Sequence, residues 1–143
     1  METNNYPSWL VPIDIAKKLK EIGFDKECSF VLTKSNKIGF TSKNDCYYHF
    51  IEDLNKDDFN SKKMVSIPTW TEVLEWFRGK GLFHSICIVE DLIEKVKDFE
   101  TEIRDNNADI ICILHQETYE GAREAVVKKL IEIYKQNENG NNI

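Results

Sequence analysis

Between Val11 and Gly23 the apolar residues Val11, Ile15, Leu19 and Ile22 recur at helical spacing, while Lys17, Lys18, Lys20 and Glu21 fill the other side. The pattern predicts a helix from Pro12 to Ile22 that Gly23 ends. Pro12 suits a first helical turn, where its missing N–H would have had no intrahelical partner. Residues Cys28 to Thr33 and Ile38 to Thr41 are rich in strand formers. Separated by Lys34-Ser35-Asn36-Lys37, they read as an antiparallel hairpin, with Gly39 a candidate bulge. A third short strand is expected at Cys46 to Ile51, followed by a long polar loop from Glu52 to Lys63 with one helical turn around Asp57 to Phe59.

The sequence Pro68-Thr69-Trp70-Thr71-Glu72 has the form of a capping box, in which the Thr69 hydroxyl and the Glu72 carboxylate answer each other's backbone N–H groups. Trp70, Val73, Leu74 and Phe77 then make one apolar face, and Gly79 and Gly81 stop the helix. Phe83 to Val89 is apolar almost throughout, which predicts a strand in a well-covered position. Residues 92–104 fit two periods. Leu92, Val96, Phe99 and Ile103 form a helical stripe, whereas Phe99, Thr101 and Ile103 alternate with Glu100, Glu102 and Arg104 as in a half-buried strand. Asp105-Asn106-Asn107 is turn-forming, so a hairpin is expected between Phe99–Arg104 and Ile110–His115. The last helix opens at Thr118 and carries Tyr119, Ala122, Val126, Leu130 and Ile133 on one face, which predicts an end near Lys135.

These elements make an α+β fold, an antiparallel or mixed sheet of about five strands packed by three helices on mainly one face. The chain has 143 residues, a length that suits one domain over 1–135, with 136–143 a disordered tail too polar to bury. Against 25 Asp and Glu stand 19 Lys and Arg, a net charge of −6 that argues against a surface built to neutralise phosphates. No apolar run approaches the roughly 20 residues that span a bilayer, and the start METNNYPSWL lacks a basic or apolar signal segment. The expectation is therefore a protein of the cytoplasm, without a membrane partner. The four cysteines, Cys28, Cys46, Cys87 and Cys112, form no CxxC pair and sit mostly among apolar neighbours, so reduced, buried thiols are expected.

Three segments, VPIDIAKKLKEIGFDKECSF at 11–30, IPTWTEVLEWFRGKG at 67–81 and TYEGAREAVVKKLIEIY at 118–134, resemble a group of short, uncharacterised proteins encoded by bacteriophages and prophages of gut Bacteroidetes. The matching pieces cover about a third of the chain. Similar proteins place strands between the two later helices, which tilts residues 99–104 toward strand. The resemblance also implies a location in a bacterial host cell. It brings no activity and no catalytic residue.

The common phosphate, dinucleotide, zinc and acyl-transfer motifs are absent from the sequence. His84 and Cys87, three apart in a strand, turn to opposite faces. The same holds for Cys46 and His49. His115, Glu117 and Asp109 are a candidate polar cluster at a strand end, near a helix N-terminus that suits anions. A polar pocket around His115 or His49 would favour a small enzyme acting on a nucleotide or host metabolite. The lysines Lys34, Lys37 and Lys43 near Tyr47 and Tyr48 raise a third reading, a single-stranded nucleic-acid binding module, which net acidity opposes. No catalytic, cofactor or metal residue is assigned, and the leading expectation is an accessory protein that binds a host or phage protein, or its own copy. Its candidate surface residue is Trp76, about 110 degrees around the helix from the centre of the apolar face. There it either packs against the loop of residues 52–63 or stands exposed as an interface anchor.

Overall fold

The computed structural model describes residues 6–26, 28–32, 38–40, 65–91, 93–94 and 96–140. The chain is an α+β protein, and its described residues form three helices and six strands, which fall into two three-stranded sheets rather than one. By its contacts it divides into two compact units, residues 1–72 and 73–143.

In the first unit α1 (Ile13–Glu21) is followed by β1 (Phe30–Leu32), β2 (Ile38–Phe40) and β3 (Val65–Ile67), ordered β2-β1-β3 and antiparallel throughout. The hairpin pairs Phe30 with Phe40 and Leu32 with Ile38, as the strand formers predicted. Its turn at 34–37, the strand expected at 46–51 and the loop at 52–63 lie outside the described residues. Strand β3 was not foreseen, because Val65 and Ile67 offer only one alternation before Pro68. Helix α1 buries Ile15, Ala16 and Leu19, with Val11, Phe24, Val31 and Ile67 also buried in this unit. Gly23 at φ +91 closes it in a Schellman turn, where Gly23 N–H donates to the Lys20 carbonyl and Phe24 N–H to that of Leu19. The chain before α1 is tied down by Val11 N–H to the Pro68 carbonyl at 3.0 Å and by the Trp70 indole N–H to the Ser8 carbonyl at 2.9 Å. Tyr6 donates its hydroxyl to the Val11 carbonyl. Burial, then the nearby Asp14, pushes this phenol up to about 12, which keeps it a donor.

Helix α2 (Trp70–Gly79) begins in the first unit, and its capping box forms as predicted: Thr69 N–H donates to Glu72 Oε1 at 2.8 Å and Glu72 N–H to Thr69 Oγ1 at 3.1 Å. A second Schellman turn ends it, with Gly81 at φ +86 donating to the Arg78 carbonyl and Leu82 to that of Phe77. Gly79 is still helical, so of the two glycines Gly81 is the one that stops the helix.

The second unit holds β4 (Phe83–Asp91), β5 (Val96–Arg104), β6 (Ile110–Gln116) and α3 (Tyr119–Gly140). The sheet order is β4-β5-β6, antiparallel, with α3 packed against all three strands. Strand wins over helix at 96–104, and the predicted hairpin with β6 is present, from Phe99 opposite Gln116 to Arg104 opposite Ile110. Its turn is braced by Asp105 Oδ1, which accepts from the N–H groups of Asn107 and Asp109. Thr118 caps α3 by accepting from Gly121 N–H at 3.0 Å. Ala122, Val126, Leu130 and Ile133 are buried as the stripe predicted, joined by Val127 and Ile131. The helix runs five residues past Lys135, through part of the segment expected to be a tail, because the helical hydrogen bonds outlast the apolar stripe.

Removing the Thr69 hydroxyl leaves the first turn of α2 with an orphan donor. Thr69→Ala is expected to cost about 1 kcal/mol, a fall of about 3 °C in thermal midpoint. Differential scanning calorimetry checks this, and an unchanged midpoint would show that the cap does not matter.

Candidate functional site

Strand geometry sorts the second sheet into two faces. The α3 side carries His84, Ile86 and Ile88 on β4, Phe99, Thr101 and Ile103 on β5, and Cys112 and Leu114 on β6, with Ile88 exposed beyond the cover of the helix. Thr101 and Ile103 are fully buried there. The outer side carries Phe83, Ser85, Cys87 and Val89 on β4, Asp98, Glu100, Glu102 and Arg104 on β5, and Ile113 and His115 on β6.

This outer face is regular, accessible and chemically sorted. Phe83, Val89 and Ile113 are 38%, 43% and 46% exposed. Between the apolar flanks runs a row of half-buried carboxylates at every second residue of β5. Arg104 engages one end of the row, donating from Nε and an Nη to Glu102 Oε2 at 3.0 and 2.9 Å. His115 stands over the other end, its Nδ1 2.7 Å from Asp98 Oδ2 and its Nε2 3.7 Å from Glu100 Oε2. Among the described residues β4 is an edge strand, and its apolar side chains Phe83, Ile88 and Val89 are exposed. That corrects the well-covered position inferred from its continuous apolar run.

The residues singled out from sequence fall as follows. Trp76 is 9% exposed, its ring against Tyr134 at 5.2 Å and Phe77 at 5.1 Å, with the Lys80 ammonium 5.1 Å from the ring centre. It is a packing residue of the second unit and not an exposed anchor; the loop proposed to cover it lies outside the described residues. His115 and Asp109 do not meet, since six residue steps along the strand put them about 20 Å apart. His84 and Cys87 do point to opposite faces, opposite Ile103 and Glu100 respectively. Burial, and then the Arg78 guanidinium, push His84 below its ordinary range, which favours the neutral imidazole. Cys28 is buried as expected, but Cys87 is exposed. Cys87, Glu100 and His115 form one cross-strand rank. The thiol and the imidazole sit on the two outer strands, about 10 Å apart, too far for proton transfer. Cys46 and His49 lie outside the described residues.

Among the described residues no group of three His, Cys, Asp or Glu is arranged to hold a metal ion. A cavity of about 500 Å³ lies beside Leu82, Asn106, Ile111, Tyr134 and Asn137. It contains no histidine or cysteine, and so is not the pocket around His115 that an enzyme reading requires. No described helix is long and apolar enough to cross a membrane.

Removing the Trp76 indole leaves a void under Tyr134. Trp76→Ala is expected to lower unfolding free energy by about 3 kcal/mol in urea denaturation; a loss below about 1 kcal/mol would contradict its packing role. In comparisons with known proteins, no family model, curated protein or solved structure matches the chain.

Proposed function

We propose that this chain works by binding another protein through the outer face of the β4-β5-β6 sheet, as an accessory protein of a phage or prophage. The observation that carries the binding reading is the exposure of Phe83, Val89 and Ile113 on one ordered face, flanking a polar row. Exposed apolar residues gathered on a surface and mixed with polar groups mark interaction sites more than isolated ones do. The phage origin rests on the three segments quoted above.

The two other readings gain less support. The nucleic-acid reading rests on Lys34, Lys37, Lys43, Tyr47 and Tyr48, which lie outside the described residues, and the outer face of the second sheet offers Asp98, Glu100 and Glu102 rather than a basic platform. An enzyme needs an acid, base or nucleophile within reach of a common reacting atom, and Cys87 and His115 are too far apart.

The test is capture from bacterial lysate by the tagged protein and by Val89→Ser/Ile113→Ser, with the thermal midpoint as the control for folding. Both side chains are already about half exposed, so the variant should fold normally and lose at least about tenfold of a captured protein. An unchanged set of captured proteins would overturn the use of this face.

A further inference from the structure

We infer, resting on the binding reading above, that the occupant of this face is an amphipathic helix of the partner with a stripe of lysine or arginine laid along β5. Charge argues first. Among the described side chains the face has three carboxylates, Asp98, Glu100 and Glu102, against one permanent cation, Arg104, which is paired with Glu102, and one imidazole, His115, which lies against Asp98 and Glu100. Two copies packed by this face would set one carboxylate row against the other, so the face does not suit a symmetric dimer.

Geometry argues next. Successive carboxylates on a strand are two residues apart, about 6.8 Å. Residues four apart on a helix rise about 6.0 Å, so basic side chains at i and i+4 keep step with Asp98 and Glu100, and one at i+8 reaches the Glu102–Arg104 pair, where it would share the carboxylate. The face is three strands wide, about 10 Å between the outer strand axes, close to the diameter of a helix with its side chains. Phe83 and Val89 then lie on one side of the basic stripe and Ile113 on the other, where apolar residues beside the stripe would meet them. The sheet already takes a helix, α3, on its opposite face, and a second helix would complete a three-layer arrangement.

The probe is a fluorescein-labelled helical peptide of about 18 residues, about 27 Å long, with lysine at every fourth position and leucines flanking that stripe. A second peptide replaces the lysines by glutamate. Fluorescence anisotropy is expected to show the lysine peptide bound at least about tenfold more tightly than the glutamate peptide, with the preference shrinking between about 0.05 and 0.5 M salt. Asp98→Asn/Glu100→Gln is expected to weaken the lysine peptide about tenfold, while Glu120→Gln/Glu124→Gln on α3 changes it less than about twofold. As a check independent of variant folding, the lysine peptide should shift the backbone amide resonances of residues 98–104 and 113–115 in the wild-type protein. Equal affinities for the two peptides, equal loss in the two carboxylate variants, or no binding of the lysine peptide would overturn the inference. If the glutamate peptide binds and Val89→Ser/Ile113→Ser weakens it, the binding face stands and its basic partner falls. If the chain forms a dimer that the same variant dissolves, a second copy occupies the face and the inference is likewise overturned. If Val89→Ser/Ile113→Ser changes neither peptide, the lysine peptide is not seated on this face, and both the inference and the binding reading lose their ground.

Discussion

Everything proposed for this chain depends on one helix being packed on a sheet that has two faces. Residues Val96–Arg104 alternate so that Thr101 and Ile103 are fully buried while Glu100, Glu102 and Arg104 turn away. The buried residues of α3, among them Ala122, Val126, Val127 and Leu130, are what one helix brings to that sheet. Burial of a Val or Leu side chain stabilises by about 1.5–3 kcal/mol. That drive fixes the register of β5, since a slip of one residue would carry its carboxylates into the core. Thr101 opposes it slightly, because its hydroxyl is buried with no hydrogen-bond partner among the described residues, an arrangement that costs about 1–3 kcal/mol.

The same alternation makes the outer face. Once Ile103 is fixed against the helix, Asp98, Glu100 and Glu102 must point outward together, and cross-strand pairing places Cys87 and His115 beside Glu100. The carboxylates are only half exposed because the strands on either side carry side chains of their own. A row of negative charge held between Phe83, Val89 and Ile113 is thus a consequence of the packing on the other side.

Much of the fold was legible because its signals are local. The capping box at Thr69 and Glu72, the left-handed glycines Gly23 and Gly81, and the turn at Asp105 each act within a few residues, and each formed. Non-local facts were not legible. The apolar run from Phe83 to Val89 suggested cover on both faces, but whether an element exists to supply it is not written in the strand. Trp76 lay on the flank of its helix by angle alone, and what hides it is Tyr134, far along the chain on α3. Asp109 and Glu117 are the carboxylates that the sequence sets on either side of His115 in its own segment. The partners it has, Asp98 and Glu100, depend on the β5–β6 register. The period-2 pattern of Phe99, Thr101 and Ile103 against Glu100 and Glu102 held the signal for the face; the competing helical stripe through Leu92 and Val96 obscured it.

The claim that Ile103 on one face of this sheet is packed under α3 while Val89 and Ile113 on the other are open is tested most directly by methyl NMR with a soluble gadolinium chelate, which broadens signals that solvent can approach. The account predicts strong broadening of the Val89 and Ile113 methyls, with those of Ile103, Val126 and Leu130 untouched. Equal protection of Ile113 and Ile103 would contradict it, since the outer face would then be covered within the chain.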